Sequence, residues 1–183
     1  PITVDPSFGL YYLTVPEAQL GDSVSAADAL ANAVATQHKC RAPQVARRAL
    51  NTLHNAMTKS DGELTVAVRF TKNLDQIVAA WPGFVDTAYG IAVDVGSTTV
   101  AGHLCELLTG EIIGSYGVMN PQIRFGEDLM SRVSYVMMNP GGDRELTKAI
   151  RVALDDLVGN LVAAAGISRA NVLEITIVGN PIM

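Results

Sequence analysis

The stretch Asp94-Val95-Gly96-Ser97-Thr98-Thr99 gathers, within six residues, the groups that a phosphate ester and its metal ion need. An acid comes first, at the end of the apolar run Ile91-Ala92-Val93. A carboxylate on a buried strand is costly unless something pairs with it. Magnesium, held through its own waters, is a natural partner. Asp94 is therefore the candidate catalytic and metal-orienting residue. Gly96 lets backbone approach a ligand closely, because it has no side chain. Ser97, Thr98 and Thr99 add hydroxyls to the backbone N–H groups of the turn, and concave N–H arrays suit phosphate oxygens. An ordinary hairpin with a solvated acid would carry the same residues. On the hexapeptide alone the two readings stand level.

Other polar groups are placed less tellingly. The segment 120–128 holds Asn120, Gln122, Arg124, Glu127 and Asp128 between a strand pattern and a helix pattern. Arg124 suits an anion, and Asp128 suits a helix N-cap. One reading is a loop beside a ligand cleft, with Asn120, Gln122 and Asp128 facing it. The other is helix capping and a solvated loop, which the residues by themselves favour. His38, His54 and His103 lack metal-ligand spacing and read as surface or satisfied histidines. Met130, Met137 and Met138 fall on one helix pattern and read as core packing. Cys40 and Cys105 are too few and too far apart for zinc or an iron–sulfur cluster, and read as two reduced, buried thiols. Neither a Walker-type phosphate loop nor a Gly-x-Ser-x-Gly elbow occurs.

Composition sets the frame. The chain has 183 residues, 49% of them hydrophobic, which is enough for one ordinary domain or two small ones with a real core. A net charge of −5 without a basic cluster argues against nucleic acid as a partner. Apolar runs fall short of the roughly 18 residues of a membrane span, and the start lacks a secretion signal, so the expectation is a cytoplasmic protein without membrane contact. The chain starts at Pro1 and stops just after a strand pattern, which suggests a piece of a longer protein.

The elements that must position these residues read as two parts. Residues 1–88 give a strand (8–15), an Ala-rich helix (26–37) capped from Asp22, Ser23 or Ser25, and a second helix beginning at Pro43. That helix would bury Val45, Ala49, Leu50, Leu53 and Met57. A turn at Asp61-Gly62, a strand (64–68) and a short strand (77–80) complete a small α+β domain. Residues 89–183 give three strands (91–95, 100–107, 111–118) joined by tight turns, then a helix (127–138). A long helix capped by Asp143 and stopped at Gly166 follows, with Leu146, Ile150, Leu154, Leu157, Leu161 and Val162 on one face. A buried strand (172–178) comes last. The order is β-β-β-α-α-β.

This order, with the turn at Asp94, resembles the first subdomain of the superfamily of acetate and sugar kinases, chaperone ATPases and actin. The resemblance implies an α/β, ribonuclease H-like (actin-like ATPase) subdomain of β-β-β-α-β order after the small α+β domain. It also implies that Asp94 orients magnesium–ATP and that Gly96, Ser97, Thr98 and Thr99 contact phosphates. Gly179 and Asn180 then stand where a second polar group faces the γ-phosphate. Three longer stretches narrow the match: 90–102, Asn120-Pro121-Gln122-Ile123-Arg124-Phe125-Gly126-Glu127-Asp128-Leu129-Met130-Ser131-Arg132, and Val178-Gly179-Asn180-Pro181-Ile182-Met183. Together they resemble the reductive activators of corrinoid enzymes. The resemblance implies a protein that uses ATP to return cobalt(II) corrinoid to cobalt(I), with a corrinoid protein or corrinoid-dependent methyltransferase as partner. An oligomer is compatible with it. Family members carry a 2Fe-2S ferredoxin domain and a second ATPase subdomain, and neither pattern occurs in these residues. A small-molecule kinase and a non-catalytic actin-like interaction module are the alternatives.

Overall fold

The computed structural model describes residues 4–16 and 24–181. The chain divides into two compact units, one of residues 1–88 with 107–110, the other of residues 89–106 with 111–183. Both are mixed α/β, each with a mixed four-stranded sheet. Among the described residues, no helix is long and apolar enough to cross a membrane.

The first unit runs β1 (Phe8–Thr14), α1 (Ala26–His38), β2 (Gln44–Val45), α2 (Arg47–Lys59), β3 (Glu63–Arg69) and β4 (Gln76–Pro82). Its sheet order is β1-β3-β4-β2, with β2 parallel to β4 and the other pairs antiparallel. Ser25 caps α1 by accepting from the Asp28 N–H. The alternative caps Asp22 and Ser23 lie outside the described residues. Leu30, Val34, Leu53, Leu64, Val66 and Ile77 form the core. Fully burying such side chains stabilises by roughly 1.5–3 kcal/mol each. Pro43 does not start a helix, contrary to expectation. Gln44 and Val45 pair with Gln76 and Ile77, and the Ala46 N–H is taken by the Ile77 carbonyl, so α2 begins only at Arg47. Leu50 consequently lies on the outer face of α2 and is exposed.

The second unit runs β5 (Tyr89–Val95), β6 (Thr99–Glu106), β7 (Ile112–Met119), a 3-10 helix (Pro121–Phe125), α3 (Leu129–Met138), α4 (Gly142–Ala164), a second 3-10 helix (Arg169–Asn171) and β8 (Val172–Gly179). The sheet order is β7-β6-β5-β8. The first three strands form an antiparallel meander, and β8 returns parallel to β5. On α4, Leu157 and Leu161 pack against Ile91, Val93, Val100 and Leu104, with Ile150 and Leu154 half-buried beside them. Gly102 permits that approach: a Cβ there would sit 2.5 Å from Leu157 Cδ2.

Several sequence expectations change in this unit. Residues 121–125 are a 3-10 helix, where a loop was expected. Gly141, at φ 90°, caps α4, which displaces Asp143 into the first turn, where its charge complements the helix dipole. The strand β8, expected to be buried, lies at the sheet edge with Ile177 55% exposed. Met130, Met137 and Met138 are exposed, Met137 by 81%. Residues 142, 146 and 149 of α4 and residue 132 of α3 are buried, so the methionines occupy the outer side of α3. Neither free thiol is buried: Cys40 is exposed and Cys105 half-buried.

Candidate phosphate-binding site

Strands β5 and β8 are parallel, so their C-terminal ends meet at one edge of the sheet. Val95 pairs with Gly179, and Asp94 with Val178 on one side and Ala101 on the other. This register brings Asp94, the turn 96–98, Gly179 and Asn180 together. Strand alternation sends Ile91 and Val93 to the α4 face and Asp94 to the opposite one. Asp94 is exposed, which corrects the expectation of a buried acid. Its carboxylate has no hydrogen-bond or ion-pair partner among the described residues. Nor do the described residues contain a group of three or more His, Cys, Asp or Glu that would hold a metal. A lone, accessible carboxylate fits a hydrated magnesium ion, which keeps several of its waters.

The turn is built around Gly96. Its N–H donates to the Thr99 carbonyl at 2.9 Å, and a Cβ on it would lie 2.7 Å from that same oxygen. Any other residue would press the turn open. Gly179 is similarly confined, since a Cβ there would lie 2.9 Å from the Val95 carbonyl oxygen. The carbonyls of the turn are all engaged from behind. Asn120 Nδ2 donates to the Gly96 carbonyl and the Asn120 N–H to the Thr98 carbonyl, both at 2.8 Å. Arg132 Nη2 donates to the Ser97 carbonyl at 2.5 Å. Among the described residues, the Ser97 and Thr98 N–H groups have no partner. Their residues are exposed, as is Thr99.

Behind the turn lies a buried polar cluster. Asn120 and Gln122 are fully buried, and Arg132 is 3% exposed. Asn120 Oδ1 accepts from the Gln122 N–H at 2.9 Å, and Arg132 Nε donates to the Gly126 carbonyl at 2.9 Å. Burial pushes the Arg132 guanidinium down from its ordinary pKa, and the nearby Asp128 charge opposes the shift. Asn120 and Gln122 therefore do not line a cleft, as one reading of this segment expected; they hold the turn from inside. Asp128 is exposed and caps α3 through a capping box with Ser131. Hydrogen bonds from the Ser131 backbone and side chain hold its carboxyl below the usual value. Arg124 stacks on the Phe125 ring, 4.6 Å from its centroid. Arg132 is the site residue that sequence reasoning missed. The signal was there, in its position one turn after the cap Asp128, but nothing in the sequence marks it as buried.

A cavity of 760 Å³ is lined by Val118, Pro121, Phe125, Tyr135 and Lys148 among others. Neither Asp94, the turn nor Asn180 contributes to it.

Comparison with known proteins decides the family. Residues 1–87 match the RACo linker region, and residues 89–183 match the RACo middle region. The chain belongs to the RACo family. The resemblance drawn from the three sequence stretches is thus borne out. The corrinoid activation enzyme RamQ of Eubacterium limosum is 30% identical over 95 residues, covering 52% of this chain and 16% of that protein. A solved structure described as a reductive activator for corrinoid, iron-sulfur protein aligns over 100% of this chain and 29% of its own, with 27% identity and a TM-score of 0.75. The chain thus spans less than a third of either relative.

Proposed function

We propose that this chain is the linker and middle portion of an ATP-dependent reductive activator that returns oxidised cobalt(II) corrinoid proteins to cobalt(I). The observation that carries the ATP part is the turn itself: Ser97 and Thr98 N–H groups and an Asp94 carboxylate that have no partner among the described residues. The corrinoid part rests on family membership and on the names of the two relatives.

In this reading the second unit is a ribonuclease H-like half of an actin-like ATPase. Asp94 orients a hydrated magnesium ion. The N–H groups and hydroxyls of residues 97–99 bind phosphate oxygens, and Gly179 and Asn180 close the same sheet edge. Bound magnesium–ATP supplies free energy by phosphoanhydride hydrolysis, which an uphill reduction of cobalt(II) corrinoid requires. The protein's own part is to bind the phosphates more tightly in one arrangement of its subdomains than in another, since a ligand shifts a conformation only through such a difference. The electron carrier, a 2Fe-2S cluster, belongs to a ferredoxin domain outside these residues, because two distant cysteines cannot hold one. The partner is a corrinoid protein or a corrinoid-dependent methyltransferase, and the setting is the cytoplasm.

Calorimetric titration of the full-length protein with magnesium–ATP tests the site. Wild type is expected to bind, and Asp94→Ala to bind at least about tenfold more weakly, in keeping with the loss of a charge-assisted contact. A wild type without magnesium–ATP binding sinks the proposal.

A further inference from the structure

The segment 120–132 carries a distinctive sequence that the phosphate reading leaves without a role, and its buried side chains end on the turn. Asn120 and Arg132 together engage three successive carbonyls, those of Gly96, Ser97 and Thr98. In a trans peptide the C=O and the following N–H point in opposite directions. No cis bond occurs among the described residues. Each carbonyl drawn inward therefore turns the next N–H away from the buried cluster. For Ser97 and Thr98 those are the N–H groups without a partner among the described residues.

We infer that Arg132, seconded by Asn120, is the positioning residue of the phosphate turn, shaping it into an anion receptor before any ligand arrives. The proposal deepens the ATP reading and rests on it. The guanidinium is suited to this because its donors diverge in one plane. Nε reaches the Gly126 carbonyl, Nη2 the Ser97 carbonyl, and Nη1 the Gln122 side chain at 3.4 Å. It thereby ties the turn to the 3-10 helix and to the start of α3 in one contact set. Gln122 extends the tie to α4 through the Leu146 carbonyl at 3.3 Å. A lysine would keep the charge but has a single ammonium, which cannot span acceptors on both sides. Arg132 touches no ligand in this scheme. It acts on phosphate through the direction of the turn's N–H groups.

The test uses the full-length protein titrated separately with magnesium–ATP and with adenosine, comparing wild type, Arg132→Gln and Arg132→Lys. Adenosine is the control because it lacks phosphates. Loss of the charged hydrogen bonds is expected to weaken magnesium–ATP binding about tenfold to a hundredfold in both variants and to leave adenosine binding unchanged. Amide exchange at Gly96, whose N–H closes the turn on the Thr99 carbonyl, is expected to quicken in both. Arg132→Gln removes a buried cation and is the variant at risk of not folding; Arg132→Lys then carries the test. Wild-type magnesium–ATP affinity in Arg132→Lys overturns the inference while leaving the ATP site standing. Parallel losses for adenosine and magnesium–ATP also overturn it, by marking general destabilisation. A wild type that binds no magnesium–ATP overturns both the inference and the reading beneath it.

Discussion

Replacing Gly96 with alanine is a stringent probe of the turn. The added Cβ would lie 2.7 Å from the Thr99 carbonyl oxygen, a backbone atom that cannot rotate away. Ordinary contact begins near 3.4 Å, so the two must part by 3.4 − 2.7 = 0.7 Å. The same oxygen accepts the Gly96 N–H at 2.9 Å, so separation also breaks the bond that closes the turn. A lost hydrogen bond costs about 1 kcal/mol and overpacking about 1–3 kcal/mol. Taking about 2 kcal/mol as the cost of restoring the receptive shape, phosphate binding should weaken about thirtyfold. The assay is titration of the full-length Gly96→Ala protein with magnesium–ATP and with adenosine, with thermal unfolding as a control on folding. Adenosine binding should be unaffected. If the folded variant bound magnesium–ATP as wild type does, the reasoning that this turn cradles phosphate would be refuted.

Other expectations follow from the second unit. The Asp128 carboxyl titrates below its ordinary value of 3.8 because Ser131 bonds its charged form. Its folded pKa is thus lower than its unfolded one, and its contribution to α3 is complete above the unfolded value and lost as pH falls through it towards the folded one. Amide exchange along α3 should therefore quicken as pH falls below about 4, after correction for intrinsic rates, and Asp128→Asn should flatten that dependence. Leu157 is fully buried under the sheet, so Leu157→Ala should destabilise the second unit by about 2–5 kcal/mol, measured by denaturant-dependent amide exchange of β5 and β6. Met137 is exposed on α3, so Met137→Gln should change stability by no more than about 0.5 kcal/mol in the same measurement.

What the sequence reveals here is what local chemistry decides. The meander is legible because the apolar strands are separated by short turns with Gly at the tight places. The helix α4 is legible because Leu146, Leu157 and Leu161 recur at helical spacing and all prove buried. Asp128 announces itself as a cap. Readings that depend on which surface covers an element fare differently. The run Ile91-Ala92-Val93-Asp94-Val95 looks buried throughout, yet only one of its faces meets α4, and Asp94 lies on the other. The strand β8 is just as apolar but ends at the sheet edge. The methionines of α3 look like core, and tertiary packing turns that face outward. Arg132 is the opposite case: an arginine reads as a surface residue, and contacts with Gly126, Gln122 and Ser97, the last 35 positions away in sequence, accompany its burial.

The central claim is that this turn serves an ATP-dependent reduction of corrinoid. The most direct measurement follows the visible spectrum of a cobalt(II) corrinoid protein incubated with the reduced full-length activator, with and without magnesium–ATP, for wild type and Asp94→Ala. The account predicts that the cobalt(I) spectrum appears with wild type only when magnesium–ATP is present, and that Asp94→Ala abolishes it. Cobalt(I) formation at the same rate without ATP, or undiminished in the variant, would contradict it.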